Sequence, residues 1–154
     1  MKKFHFNLLF FALSFYCIGA GFMDSFVIYN SWNFVGAEEF AAMHQATGQR
    51  IVVTFVLPTV LLLVLNILQY WFRPATVPRS WVTMALIAQL TGWLSSVFIQ
   101  IPIQMQLSQG KDEALLEKLI VSDWLRVVAW LIYMVIVVAM LYRVRSTMKK
   151  TVIV

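Results

Sequence analysis

The sequence predicts an all-α integral membrane protein, folded as a bundle of four membrane-spanning helices. Of its 154 residues, 61% are hydrophobic and only 12% are charged, and the mean hydropathy is +0.79. Soluble domains carry about 25% charged residues. The apolar residues form four long runs, and about 20 helical residues are enough to cross about 30 Å of hydrocarbon. The length fits one transmembrane domain that covers residues 1–154.

The four runs cover roughly residues 6–29, 51–72, 81–103 and 122–142, with outer segments at residues 30–50 and 104–121. In the first outer segment, Gly36 followed by Glu38 and Glu39 indicates the start of a helix, because acids are favoured at the positive end of the helix dipole. That helix either lies along the membrane interface or runs directly into the second span. Proline removes a helical hydrogen bond, so Pro58 should bend the second span, and Pro102 should kink or end the third.

The start of the chain allows a second interpretation, a cleaved signal peptide. Two lysines precede the first apolar run, and the small residues from Gly19 to Gly21 resemble a cleavage site. The run continues to Tyr29, however, which is longer than the core of a typical signal peptide. We therefore interpret it as the first span.

The basic residues predict the orientation. Most of them fall on one side of the four spans: Lys2, Lys3, Arg73, Arg79, Arg143, Arg145, Lys149 and Lys150. The positive-inside rule assigns that side to the cytoplasm, so both termini are predicted to be cytoplasmic. We expect a multi-pass protein of the plasma (inner) membrane, with the lipid bilayer as its partner. Because these positions explain the net charge of +5, no nucleic-acid partner is predicted.

The strongest polar residues fall near the outer ends of the spans. Asp123 and Arg126 open the fourth run, and their spacing makes them neighbours on one helix face. Ionisable groups at such a depth are costly and normally have partners. The other spans contribute Asp24, His44, Arg50, Gln100 and Gln104. We predict that all seven gather around one outer site.

Each of these residues also has a structural interpretation. Asp123 and Arg126 can form an ion pair that fastens the bundle, and glutamines can hydrogen-bond between helices. Asp24 and His44 can simply lie at the interface. Aromatic residues near the span ends are expected to anchor the protein in the two interfaces: Tyr29, Trp32, Tyr70, Trp71, Trp81, Trp124 and Tyr142.

Cysteine and histidine usage excludes several kinds of site. Cys17 is the only cysteine, which excludes disulfides within the chain, Cys-x-x-Cys redox chemistry and the four-helix disulfide-forming quinone reductases. His5 and His44 fall on opposite sides of the membrane in the predicted topology, so no metal site is predicted. The sequence identifies no cofactor.

Short motifs at the outer ends of the last two spans resemble those of small four-helix membrane proteins that include the anthrone oxygenase-like family. That family often carries Pro-x-Asn after the third span and Asn-x-x-Arg near the start of the fourth. Here Pro102-Ile103-Gln104 and Asp123-Trp124-Leu125-Arg126 stand in those places, with Gln and Asp in place of Asn. Glu39-Phe40-Ala41-Ala42-Met43-His44 is similar to a motif of bacterial membrane proteins of unknown function. The resemblance implies a four-helix fold and an oxygenase that acts on an activated phenolic compound.

The first functional hypothesis is a pocket open to the outer leaflet, for a small apolar or amphipathic ligand. In an enzyme of this kind, His44 or Asp123 would act as general base and Arg126 would stabilise a developing oxyanion. The predicted ligand-binding residues are Asp24, Arg50, Gln100, Gln104, Trp93 and Trp130, with Phe55 beside the two tryptophans.

Two other functions stay open. The chain can be a non-catalytic subunit or assembly partner whose polar cluster is structural. Small residues on the first span, including Gly21, would then pack against another helix, which also leaves a homo-oligomer open. A small dimeric transporter ranks last, because transporter sites usually lie near the midplane rather than in the outer third.

Overall fold

The fold is a four-helix bundle, seen in a computed structural model that describes the backbone of residues 2–152 and the side chains of residues 3–146. Four helices are long and apolar enough to cross a membrane: α1 (Lys3–Phe34), α2 (Ala37–Phe72), α3 (Arg79–Leu107) and α4 (Glu113–Ser146). No strand occurs in the described chain. The side chains of Lys2, Lys149 and Lys150, which enter the orientation argument, lie outside the described residues. We call the end of the bundle that carries the two termini the inner end.

Two apolar cores lie along the bundle, one towards each end. The inner core includes Phe10, Leu62, Val82, Tyr133 and Val137, contributed by all four helices. The outer core is formed by Tyr29, Trp32, Phe40, Ile103, Leu107, Leu116 and Leu119. Between the two cores lies a layer of buried polar side chains, which we call the polar layer: Asp24, Gln100, Asp123 and Arg126.

The helices extend well beyond the predicted outer boundaries of the spans. Residues 37–50 do not lie along the interface, because they continue directly into the second span as one helix, α2. Residues 113–121 likewise begin α4. These two extensions carry Phe40, Leu116 and Leu119 of the outer core, so burying these side chains drives the folding of the extensions onto the bundle. Lys111 joins the outer turns, since its ammonium donates hydrogen bonds to the carbonyls of Asn33 and Val35 at 3.0 and 2.9 Å.

Neither internal proline ends its helix. A π-helical turn, Val52–Val56, precedes the α-helical part of α2 that begins at Leu57 and carries Pro58. A second π-helical turn, Ser96–Gln100, likewise precedes the α-helical part of α3 that carries Pro102 and continues to Leu107. The wider turn accommodates the proline ring and the lost hydrogen bond. A third π-helical turn, Asp24–Ile28, occurs in α1 without a proline.

α1 approaches α4 closely at Gly21. A Cβ atom added there would lie 3.2 Å from Nε1 of Trp130 and 3.5 Å from the ring of Phe55. At Gly19, two residues earlier, an added Cβ atom would meet nothing within 4 Å. Small residues allow such an approach between membrane helices.

We therefore expect Gly21→Leu to destabilise the bundle by about 1–3 kcal/mol through overpacking. Gly19→Leu is the matched control and should leave stability unchanged. Unfolding in mixed micelles, followed by circular dichroism, measures both. Equal midpoints for the two variants would contradict this packing.

Candidate functional site

Arg126 is the centre of the polar layer. It lies on α4 and is only 4% exposed, with its Nη2 atom 2.8 Å from the Oδ2 atom of Asp24 on α1. Its Nε atom lies 2.7 Å from Asp123, one helical turn away on α4. The Nη2 atom also lies 3.4 Å from the hydroxyl of Ser25. The guanidinium is thus held from two sides, and one of its two ion pairs connects the first helix to the last.

Aromatic rings complete the surroundings of this guanidinium. Its central carbon lies 5.3 Å from the ring centroid of Tyr29 and 5.9 Å from that of Phe55. Both distances allow cation–π attraction, which is strongest where water is excluded. The Tyr29 hydroxyl accepts a hydrogen bond of 2.7 Å from the Gln104 amide. Tyr29 therefore links α3 to the Arg126 cluster.

A pocket of about 350 Å³ borders the polar layer. One wall comes from α1, α3 and α4 and is partly polar: Asp24, Tyr29, Gln89, Gly92, Trp93, Ser96, Gln100, Ile101, Gln104, Arg126 and Trp130. The other wall comes from α2 and is mostly apolar: Gly48, Ile51, Val52, Phe55, Val56 and Thr59. An amphipathic interior of this kind suits a ligand with one polar group and an apolar body.

The pocket opens between α2 and α3. Close backbone contact between these two helices is concentrated in their inner parts, Leu57–Phe72 against Arg79–Ser95. Towards the outer end the helices separate. Val52 and Ile101 line the pocket from either side and are also about half exposed on the outer surface of the bundle. The opening therefore faces the side of the bundle, where lipid chains surround a membrane protein.

The structure brings six of the predicted site residues to this pocket and leaves three outside it. Lining residues include Asp24, Gln100, Gln104, Arg126, Trp93 and Trp130. Asp123 contacts Arg126 but lines a separate, smaller cavity with Ser25 and Trp124. Arg50 is exposed and takes no part in the lining. The predicted gathering of all seven polar residues is therefore incomplete.

His44 lies in the outer core rather than in the pocket. Its ring centroid is 4.8 Å from that of Trp32 and 5.7 Å from that of Phe40, and the residue is only 6% exposed. The Nε2 atom has no hydrogen-bond partner among the described residues. Gly48, one turn further along α2, is the first residue of that helix that lines the pocket. His44 packs against Trp32 and Phe40 of the outer core, because its helix face turns towards Trp32.

Tyr29 lines the pocket instead of anchoring the protein in the interface, as its position near a span end predicted. Tyr29 and Trp32 are almost fully buried, whereas Trp71, Trp124 and Tyr142 are well exposed, as an anchor requires. The three-residue spacing from Trp32 placed Tyr29 on the same helix face, but the pattern gave no sign that this face turns inward. Gly48 and Thr59 also line the pocket, and neither was predicted as a site residue.

The deeper polar groups form two separate pairs. The Asn66 amide donates a hydrogen bond of 3.0 Å to Oε1 of Gln89, joining α2 to α3 at the inner end of the pocket. The Ser14 and Tyr133 hydroxyls lie 3.0 Å apart between α1 and α4. Each pair joins two helices through polar groups, as hydrogen bonds in membrane bundles do. Within the described chain, no group of three or more His, Cys, Asp and Glu side chains is arranged to hold a metal ion.

Replacing Arg126 should reveal the cost of the buried carboxylates. Arg126→Gln leaves Asp24 and Asp123 in the interior without their cation, and breaking a buried ion pair costs about 3–5 kcal/mol. Arg50→Gln is the matched control, since Arg50 is exposed. Denaturation in mixed micelles gives the free energy of unfolding of each variant. Adding Asp24→Asn and Asp123→Asn to Arg126→Gln should restore much of the loss; no restoration would contradict the charge explanation.

Comparison with known proteins gives no match: no protein-family model, no curated protein and no solved structure matches this chain. The resemblance of its short motifs to the anthrone oxygenase-like family stays a prediction. The functional interpretation must therefore come from the chemistry of the pocket itself.

Proposed function

We propose that this protein binds a small apolar or amphipathic molecule in the pocket beside Arg126, taking it from the outer leaflet of the plasma (inner) membrane. The observation that carries the proposal is the pocket's composition, with an apolar wall on α2 and polar groups on the opposite wall. The lateral opening between α2 and α3 supports entry from lipid rather than from water.

The position of the pocket along the bundle supports the same proposal. At 1.5 Å per helical residue, Thr59 lies about 20 Å and Gly48 about 36 Å along α2 from Phe72, near the inner end of the helix. A hydrocarbon core of about 30 Å that begins near Phe72 would place the α2 wall of the pocket in the outer third and the adjoining interface. Polar head groups and the first part of a lipid chain occupy that depth.

The geometry favours binding over catalysis. The enzyme hypothesis needs a general base within hydrogen-bond reach of the ligand. His44 packs against Trp32 of the outer core and does not line the pocket. Asp123 lines a separate cavity, on the other side of Arg126 from the pocket. Asp24 is the one acid that lines the pocket, and its Oδ2 atom is already paired with Arg126. These positions give no pair of acid and base directed at one reacting atom.

A purely structural role for the polar layer is the alternative. The ion pairs fasten α1 to α4 whether or not a ligand binds. Fastening alone does not account for the space between α2 and α3, because membrane helices gain van der Waals attraction by packing closely. A pocket kept open at this depth therefore supports a ligand-binding role.

Gly48→Phe tests the proposal, because Gly48 lines the pocket and an added Cβ atom would meet nothing within 4 Å. The new ring should fill the cavity with little strain and weaken ligand binding by about tenfold or more, as a group that occupies the site must. Gly19→Phe is the matched control: the space around Gly19 is equally open, and Gly19 does not line the pocket.

Binding is measured with a long-chain alcohol brominated at its far end, whose bromine quenches tryptophan fluorescence on contact. The Trp71→Phe/Trp124→Phe background removes two tryptophans that are exposed on the bundle surface. Saturable quenching that Gly48→Phe abolishes and Gly19→Phe preserves is the expected result. Quenching that is equal in the two variants would exclude the pocket as the binding site.

A further inference from the structure

We infer that the ligand carries a cationic head, such as an ammonium group, on its apolar body; this inference rests on the proposed function and specifies its ligand class. It begins with the charges of the polar layer. Asp24 and Asp123 provide two carboxylates, and Arg126 provides one guanidinium. No other basic side chain in the described part of the chain forms an ion pair with either acid. When all three groups are ionised, the cluster carries one negative charge in excess.

Such an excess is costly at this depth unless a cation or a proton balances it. Asp24 is the member of the cluster that can meet a ligand, because it lines the pocket and Asp123 does not. It is 3% exposed; its Oδ2 atom is paired with Arg126, and its Oδ1 atom has no hydrogen-bond partner among the described residues. The unpartnered Oδ1 atom is an acceptor for a donor that arrives with the ligand.

The aromatic lining favours the same class of ligand. Trp93 and Trp130 line the pocket together with Tyr29 and Phe55. Aromatic faces attract cations, and rings grouped around a cavity are a common means of recognising ammonium groups. Arg126 already takes this attraction from Tyr29 and Phe55, which shows that the surroundings suit a positive charge.

An anionic head is disfavoured at the same position. Two nitrogens of Arg126 already face Asp24 and Asp123. An added anion would therefore raise the excess negative charge of the cluster, and like charges in a desolvated site repel strongly. With a neutral head, a proton would have to balance the excess charge.

Two sources supply an ammonium group on an apolar chain: the ethanolamine head of a membrane phospholipid and a free long-chain amine. Both would place the nitrogen beside Asp24 and the chain along the apolar wall of α2. The experiment therefore compares head groups first and sources second.

The purified full chain in a neutral maltoside detergent is titrated with three ligands of one chain length: the ω-bromo amine, the ω-bromo alcohol and the ω-bromo carboxylate. The readout is tryptophan quenching in the Trp71→Phe/Trp124→Phe background.

We expect the amine to bind about tenfold or more tighter than the alcohol, and the carboxylate to bind most weakly. Asp24→Asn should reduce the advantage of the amine to about twofold or less, because it removes the excess charge. Glu117→Gln is the matched control, since it removes an exposed acid at the outer end.

Equal binding of amine and alcohol to the unchanged chain would overturn the inference and leave the proposed pocket standing. Tightest binding by the carboxylate would overturn it in favour of an anionic ligand. Absence of saturable quenching by all three ligands would remove the proposed function itself. The order of affinities for the three ligands, measured with Asp24 in place, tests the inference even if Asp24→Asn does not fold.

Competition by added phosphatidylethanolamine, compared with phosphatidylglycerol, then identifies the source of the ammonium group. Displacement of the bound amine by phosphatidylethanolamine supports the phospholipid head, and persistence of the bound amine supports a free amine.

Discussion

The ion-paired guanidinium of Arg126 is the interaction on which the rest of this structure depends. A guanidinium placed inside a membrane bundle must have its charge and its hydrogen-bond donors met by neighbouring groups. The carboxylates of Asp24 and Asp123 balance its charge at 2.8 and 2.7 Å; Asp24, which belongs to a different helix, also accepts a hydrogen bond from it. This requirement fixes the rotation of α1 against α4 about their long axes. The close approach at Gly21, one turn inward from Asp24, follows from the same arrangement.

The helix that contributes no residue to the polar layer, α2, forms the apolar side of the pocket. The buried groups of the polar layer come from α1, α3 and α4, whereas α2 faces them with Ile51, Val52, Phe55 and Val56. Because no ion pair or side-chain hydrogen bond among the described residues joins α2 to α3 at this height, the outer half of α2 can stand away from α3. The cavity is therefore a consequence of how unequally the polar groups are distributed among the four helices.

Local backbone irregularities coincide with the pocket on three of the four helices. The π-helical turns Asp24–Ile28, Val52–Val56 and Ser96–Gln100 each contribute at least one lining residue. Such turns widen the helix and redirect side chains, and they are frequent at functional sites. In α2 and α3 they also absorb the prolines that follow, so that the helices continue into the outer core. The outer core in turn covers the pocket with Tyr29, Trp32 and Phe40.

The sequence by itself determined the four crossings and the height of the polar groups along them, because hydropathy and helical rise depend only on the order of residues. It also determined that Asp123 and Arg126 are neighbours, since their contact lies within one helical turn. The tertiary structure alone decided that Asp24 is the second partner of Arg126, that Tyr29 turns inward, and that His44 and Arg50 stay outside the pocket. Each residue advances about 100° around a helix, and only packing against the other helices fixes which direction faces the interior. Residues at the same position along the bundle axis can therefore face different neighbours. A single sequence gives the position of a residue along the helix axis but not which side of the helix faces the interior.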